Sequence, residues 1–191
     1  MRPFRFGYQF RGTSAAELVE AAIKAEAAGF DVFSTADHIG DGWPPLPPLL
    51  AAALATTTLR VCPLVINNDL RHPVELARDV LAIDQLTGGR IELGIGAGHS
   101  APEYAARGLA FDSGRVRKAR LRESVEILRS LLSGQPTSFD GDFYQLDAVR
   151  LQQPHGTHVP PPGCGLRTNR SRPLCSICRH RWLDGSRPDT A

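Results

Sequence analysis

The chain has 191 residues, 42% of them hydrophobic and 22% charged, with a formal net charge of +2, which suits one globular domain or part of a larger one. No apolar run approaches the ~18 residues that a membrane span needs, and the opening MRPFRFGYQF has no signal-peptide core, so a cytoplasmic location and no membrane partner are expected. The charge is unevenly spread: residues 1–151 hold 16 basic and 18 acidic side chains and residues 152–191 hold 6 Arg and 2 Asp, with no basic stripe in the first part to suggest nucleic acid.

Phe4 to Phe10 alternates and is rich in aromatics, which predicts a strand. Ser14 and Glu17 form a capping box for a helix whose apolar face is Leu18, Ala22 and Ala25, and Gly29 supplies its stop. FDVFSTAD (30–37) reads as a second strand that runs into Asp37-His38. After the Pro-rich WPPLPP, residues 49–55 read as a short helix. LRVCPLVI (59–66) is almost wholly apolar, as in a strand buried on both faces. Cys62 within it reads as a buried, inert thiol, and Pro63 predicts a bulge or a departure from plain strand geometry. The polar loop NNDLRH follows, then a helix opened by Pro73 and stopped at Gly88-Gly89. RIELGI (90–95) is the fourth strand. Residues 115–132 form an amphipathic helix on Leu121, Val125, Leu128 and Leu132, and TSFDGDFYQL (137–146) reads as a hairpin around Asp140-Gly141.

Strands alternating with helices predict an α/β fold with a parallel sheet and right-handed crossovers. A doubly wound open sheet and a (β/α)8 barrel both satisfy this order, and periodicity does not separate them. Four units are about half of a barrel, which runs to ~250 residues. From Gln152 onward neither period persists: the segment has six prolines, no lysine and few aliphatic residues. It is expected to lack a fixed structure, because it buries too little surface to offset its ordering entropy.

In either architecture ligands gather where strands end. Gln9-Phe10-Arg11, Asp37-His38, Asn67-Asn68-Asp69 with Arg71-His72, and Gly94 to Ser100 all fall at such ends, so one shared pocket is expected, with His38 and the Gly96–Gly98 backbone in one cavity. His38 is the candidate catalytic residue, because an imidazole donates to a ring nitrogen or relays a proton near pH 7. Its plainer alternative is an Asp-His pair that ties a loop. Arg71 and His72 suit an anionic group, though Arg71 also has Asp69 within reach as a surface partner; Arg115 and Arg117 read as solvated. Gly94-x-Gly96-x-Gly98 is not the dinucleotide fingerprint, which needs G-x-G-x-x-G directly before a helix, whereas HSAPEYAARG follows here. The glycines suit either close packing or the approach of a flat ring or phosphate. No Ser/His/Asp order, HExxH or P-loop is present.

RFGYQF, AAGFDVFSTADHIG, ATTTLRVCPLVINNDLRHPVELARDVLAIDQLTGGRIELGIGAGH and EYAARGLAFDSGRVRKARLRESVEILRSLLSG with FDGDFYQL together resemble the N-terminal half of the luciferase-like monooxygenase family, most of all its branch that uses coenzyme F420. The resemblance covers residues 3 to about 155. It implies a (β/α)8 barrel, here incomplete at about four of eight units: residues 1–155 as the N-terminal half and 156–191 as an aberrant tail. It also implies an oxidoreductase or monooxygenase acting on a small molecule, with F420, or alternatively FMN, across the mouth of the barrel. By position, Asp37, Asn67, Asn68, Gly94, Gly96, Ala97 and Gly98 would contact the cofactor and His38 would stand by its reactive ring; no metal is implied.

A truncated or frame-shifted second half accounts for the tail. Such a half-barrel would have raw edges at its first and fourth strands and an inner face open to water, would turn over no substrate alone, and has a homodimer as its one route to completion. The competing reading is a non-enzymatic zinc- or partner-binding protein, with Cys175, Cys178 and His180 joined by Cys164 and His158.

Overall fold

The computed structural model describes residues 5–40, 42–151, 163–164 and 180–184. The chain runs β1 (Arg5–Gln9), α1 (Ala15–Ala27), β2 (Val32–Thr35), α2 (Leu46–Leu54), β3 (Arg60–Pro63), β4 (Ile66–Asn67), α3 (Pro73–Thr87) and β5 (Gly94–Gly96), then α4 (Ala101–Ala106), α5 (Gly114–Leu132) and the hairpin β6 (Thr137–Asp140) and β7 (Gln145–Val149); two short strands, β8 (Gly163–Cys164) and β9 (His180–Asp184), complete it. Local signals set most of these bounds. The Ser14 hydroxyl accepts the Glu17 N–H at the start of α1. The His72 Nδ1 accepts the Val74 N–H at the start of α3, and Gly88 ends that helix at φ 65°. Ser113 caps α5 through the Val116 N–H.

Four elements depart from the sequence reading, the first being the strand expected over 90–95, which is an isolated bridge at Ile91 followed by β5 at Gly94–Gly96. The second helix begins at Leu46 and takes Pro47 and Pro48 into its first turn, where a missing N–H costs nothing. LRVCPLVI is two strands: β3 stops at Pro63, which has no N–H to give, the Leu64–Val65 peptide is cis, and pairing resumes in β4. A six-residue helix, α4, stands four residues after β5, where sequence reasoning placed only a loop.

All pairings in the main wall are parallel, in the order β3-β2-β1-β9 and β4-β5-β8. The two parts are joined where Val61 donates to the Arg90 carbonyl at 2.9 Å and accepts from the Glu92 N–H at 2.8 Å. Helices α1, α2, α3 and α5 all pack with Phe33, Val61, Ile66, Ile91, Leu93 and Ile95 in one buried cluster. Helices on a single face are the mark of a barrel wall rather than a doubly wound sheet. Alternation puts Val32 and Cys62 on the opposite, inner face. Both are fully buried with Leu64 against them, so this face does not meet water as expected. On the same inner face, Glu92 takes Arg5 at 2.6 Å and Arg60 at 2.5 Å. Burial alone would raise the Glu92 carboxyl, but the two guanidiniums outweigh it and hold it low.

Neither end of the wall is raw. β9 lies against β1 and β8 against β5, which corrects the expectation of two open edges. The rest of the 156–191 tail, for which no fixed structure is expected, lies outside the described residues. Among the described residues, no helix is long and apolar enough to cross a membrane.

The turn into β3 depends on one side chain of α1. The Glu26 carboxylate accepts the N–H groups of Thr57, Thr58 and Leu59 at 2.6 to 3.2 Å. The Thr58 N–H is the largest influence, burial opposes it, and with the Leu59 and Thr57 bonds it lowers the carboxyl from 4.5 to about 2. A carboxyl depressed in the folded state stabilises fully above its unfolded value and loses that contribution as pH falls through its folded value. The advantage of the native chain over Glu26→Gln in urea midpoint is therefore expected to be full near neutrality and to shrink between about pH 4.5 and pH 2. A difference that stays constant across that window would refute the assignment.

Candidate functional site

The C-terminal ends of β1, β2, β4 and β5 meet around two adjoining cavities. One, of about 330 Å³, is lined by His38, Asn67, Gly96, Gly98, His99 and Glu103 together with the apolar run Leu64–Ile66. The other, of about 270 Å³, is lined by Gln9, Phe10, Arg11, Thr35 and Trp43. His38 and Leu64 wall both. His38 and the Gly96–Gly98 backbone thus share one cavity, as the sequence reading expected.

His38 pairs with Glu103, not with its neighbour Asp37. Its Nδ1 lies 2.8 Å from Glu103 Oε1, and its ring meets His99 edge-on at 5.3 Å. Burial works to raise the Glu103 carboxyl, but hydrogen bonds from His38, Ser100 and the Ile39 N–H outweigh it and lower it. An ionised carboxylate only accepts. Nδ1 therefore carries the shared proton, and Nε2 is left as the ring's second working atom, an acceptor when neutral and a donor when protonated. A carboxylate-oriented imidazole of this kind suits proton transfer or hydrogen bonding to a polar ring atom.

Asp37 lines the same cavity but both its oxygens are engaged by the protein. Oδ2 accepts the Asn67 N–H at 2.9 Å and Arg71 Nη1 at 2.5 Å, while Oδ1 accepts Arg71 Nη2 at 3.3 Å. Arg71 thus pairs with Asp37 rather than Asp69, and His72 serves as the cap of α3. The Asn67 side-chain oxygen accepts Tyr104 Oη and the Asp69 N–H, both at 3.1 Å. Tyr104 Oη also lies 2.9 Å from Asp69 Oδ2; burial and that carboxylate push its phenol up to about 12.

Two of the sequence candidates do not reach the cavity. Asn68, 1% exposed, turns into a neighbouring cleft, where its Nδ2 meets Tyr144 Oη at 3.3 Å. Gly94 serves packing: a Cβ there would lie 2.3 Å from the Pro63 carbonyl oxygen. Gly96, Ala97 and Gly98 line the cavity. On α5, Arg117 is not solvated but covers Phe111 at 3.9 Å, and Arg120 pairs with Asp69 at 2.8 Å and with Asp112. Arg115 is exposed.

Sequence reasoning missed Glu103. The signal was Ser100-x-x-Glu103 with Pro102 between, the spacing of a helix start, but the apolar run that normally follows is too short to announce a helix. Of the proposed zinc ligands, Cys164 lies in the strand beside β5 and His180 in the strand beside β1, at opposite ends of the wall; Cys175, Cys178 and His158 lie outside the described residues. Among the described residues no three His, Cys, Asp or Glu side chains gather as a metal site.

The sequence profile of the luciferase-like monooxygenases matches residues 3–165. A relative from Nakamurella multipartita, named as an F420-dependent glucose-6-phosphate dehydrogenase, is 32% identical over an alignment of 193 positions that covers 96% of this chain and 55% of that protein. Among solved structures, an F420-dependent secondary alcohol dehydrogenase holding an F420-acetone adduct is 26% identical with a TM-score of 0.73, over 82% of this chain and 51% of that one. The oxygenating constituent of the 3,6-diketocamphane monooxygenase from Pseudomonas putida, solved with FMN, shares the fold at 22% identity and a TM-score of 0.71, over 84% of this chain and 51% of that one. The chain spans about half the length of the relatives it matches.

Gly98 tests how tightly this rim is built. It sits at φ 74°, and a Cβ there would lie 2.1 Å from Tyr104 Oη and 2.7 Å from Asn67 Oδ1. Gly108, at φ 67°, has nothing within 4 Å. Both alanine variants are expected to lose the roughly 1–2 kcal/mol of a left-handed non-glycine residue, and Gly98→Ala clearly more, because it also displaces the Tyr104–Asn67 bond. Equal losses in urea denaturation would show that the rim yields freely.

Proposed function

The chain belongs to the luciferase-like monooxygenase family, and we propose on that premise that its four units form the cofactor-facing half of an F420- or flavin-dependent oxidoreductase acting on a small molecule, with F420 the favoured cofactor. The observation that carries this reading is the His38–Glu103 pair at the junction of two cavities where the parallel strands end. F420 is preferred to FMN because several relatives at 32 to 36% identity are named as F420-dependent enzymes.

The lining suits a flat, partly apolar ring. It offers an apolar run from Leu64 to Ile66, backbone bare of side chains at Gly96 and Gly98, and the polar side chains of His38, Asn67, Ser100 and Lys118. A bound deazaflavin or flavin supplies the hydride or oxygen chemistry. Within that site His38 holds or releases a proton at Nε2. Glu103, kept anionic, orients the ring through Nδ1. Asp37 has no part in the chemistry; it fixes the loop on which Asn67 stands.

This half embraces a cofactor from one side, so the chain alone is read as unable to turn over substrate, and a second copy is the partner able to complete the mouth. The test is titration of the purified chain with F420 and with FMN at known oligomeric state. No binding to the monomer is expected, and binding by a dimer should weaken by about tenfold or more, ~1.4 kcal/mol, in His38→Ala. Micromolar binding by a monomer would overturn the half-site reading; dimer binding indifferent to His38 would remove that residue from the site.

A further inference from the structure

A polar side chain in a cavity wall recognises a ligand through whichever of its atoms the protein leaves free. At Asn67 that atom can be identified. Its backbone N–H is held by Asp37 Oδ2 at 2.9 Å, and its side chain caps the 3-10 turn Asn68–Leu70 by accepting the Asp69 N–H at 3.1 Å. Tyr104 Oη lies against the same side-chain oxygen, also at 3.1 Å. An amide presents an acceptor at one end and two donors at the other. Turning it over would set Nδ2 against the Asp69 N–H, donor to donor, so Oδ1 stays bound to the protein and Nδ2 faces away.

Nδ2 has no partner among the described residues and is not buried; the open space that Asn67 lines is the cavity of about 330 Å³. Gly98 leaves room for the amide, since a Cβ there would stand 3.0 Å from Nδ2. The carboxylates of the same wall are already engaged. Asp37 accepts from Arg71 and from the Asn67 N–H, and Glu103 takes His38 on one oxygen and the Ile39 N–H on the other. Carboxylate and amide oxygens are thus turned to the protein, and the atoms that Asn67 and His38 leave toward the cavity are nitrogens. Of these, Asn67 Nδ2 donates in every protonation state, whereas His38 Nε2 does so only when its ring is charged.

We propose that Asn67 determines which ring edge this cavity accepts: its Nδ2 donates to a carbonyl oxygen on the edge of a flat heteroaromatic ligand, with Tyr104 as a positioning residue behind it. This role rests on the ring-binding reading above and adds to it the edge by which the ring is recognised. A carbonyl completes the bonding of the amide. An apolar edge or an N–H in its place leaves Nδ2 stripped of water and unpaired, which costs more than a formed bond gains. Asp37, Asp69 and Tyr104 hold the residue before any ligand arrives, so little side-chain freedom remains to be lost on binding. Tyr104 acts only through Asn67, because it is 1% exposed and does not line this cavity.

Two flat tricyclic probes separate this role from plain ring burial: lumiflavin, which carries carbonyls on one edge, and phenazine, which carries none. Each is titrated at known oligomeric state into the native protein and into Asn67→Asp. Aspartate keeps an oxygen for the Asp69 N–H and for Tyr104, and replaces only the donor. Lumiflavin affinity is expected to fall about tenfold or more, phenazine affinity to stay within about twofold, and Tyr104→Phe to weaken lumiflavin by less. Amide exchange gives a check that needs no ligand. The Asp69 N–H is expected to be protected in the native chain and in Asn67→Asp, and to exchange about tenfold faster or more in Asn67→Ala with the Phe10 N–H unchanged. Loss at Phe10 as well would mark unfolding of that variant, and the native and aspartate chains then decide. Lumiflavin binding indifferent to Asn67→Asp, equal losses for both probes, or an unprotected Asp69 N–H in the native chain would overturn this role and leave the ring reading standing. Failure of both probes to bind the native protein in any oligomeric state would overturn the ring reading, and this ligand with it.

Discussion

The mouth of this wall hangs on the Asp37 carboxylate, which ties the end of β2 to the point where the third strand breaks. At 8% exposure a carboxylate is costly unless its oxygens are answered. Here they are answered by a two-pronged guanidinium and by a backbone N–H, the geometry in which a buried charge is best satisfied. A closed circuit of bonds starts from it. Asp37 holds Asn67; Asn67 accepts from Tyr104 on α4; α4 carries Glu103; Glu103 orients His38, the residue next to Asp37. Each of its three hydrogen bonds joins residues at least 30 positions apart, so the imidazole is placed by the fold and not by its own loop.

The other end of the wall is held differently. Arg5, Arg60 and Glu92 converge on the inner face near the start of the strands, joining β1 and β3 to the strand that becomes β5. Neither guanidinium is fully buried, at 35% and 28% exposure, while Glu92 is at 10%. Two cations around one carboxylate offset its loss of water. One end of the wall thus holds the strands together and the other gathers polar groups toward open cavities. The same division of labour runs through barrel enzymes, with stability at the strand starts and chemistry at the strand ends.

Half the length of the relatives is enough to build this mouth on one side. The helices cover one face of the strands, Val32, Cys62 and Leu64 are packed on the other, and the two lateral edges are met by short parallel strands from the tail. Sheet edges invite further strands, and among the described residues both edges of this wall are met.

Much of the fold was legible in the residues. Apolar periodicity, the Ser14 cap, Pro73 at a helix start and the stop at Gly88-Gly89 are local properties, settled within a few positions along the chain, and they marked most of the helices and strands in the right order. The grouping of His38 with Gly96 and Gly98 came from strand ends meeting in any parallel sheet. Side-chain partners were another matter. Whether Arg71 would choose Asp37 or Asp69, whether Asn68 would face the cavity or the cleft, and that Glu103 would reach His38 depend on distances between segments far apart in sequence. The same holds for Gly94, whose lack of a side chain makes room for the Pro63 carbonyl of the next strand, and for the tail, whose composition suggested no structure yet whose strands β8 and β9 meet both edges. By itself the sequence determined most of the elements, their order and the family to which they belong. The tertiary structure decided which charges meet and which edges are covered, because hydrogen bonds and ion pairs act over ~3 Å and only the folded chain brings such groups that close.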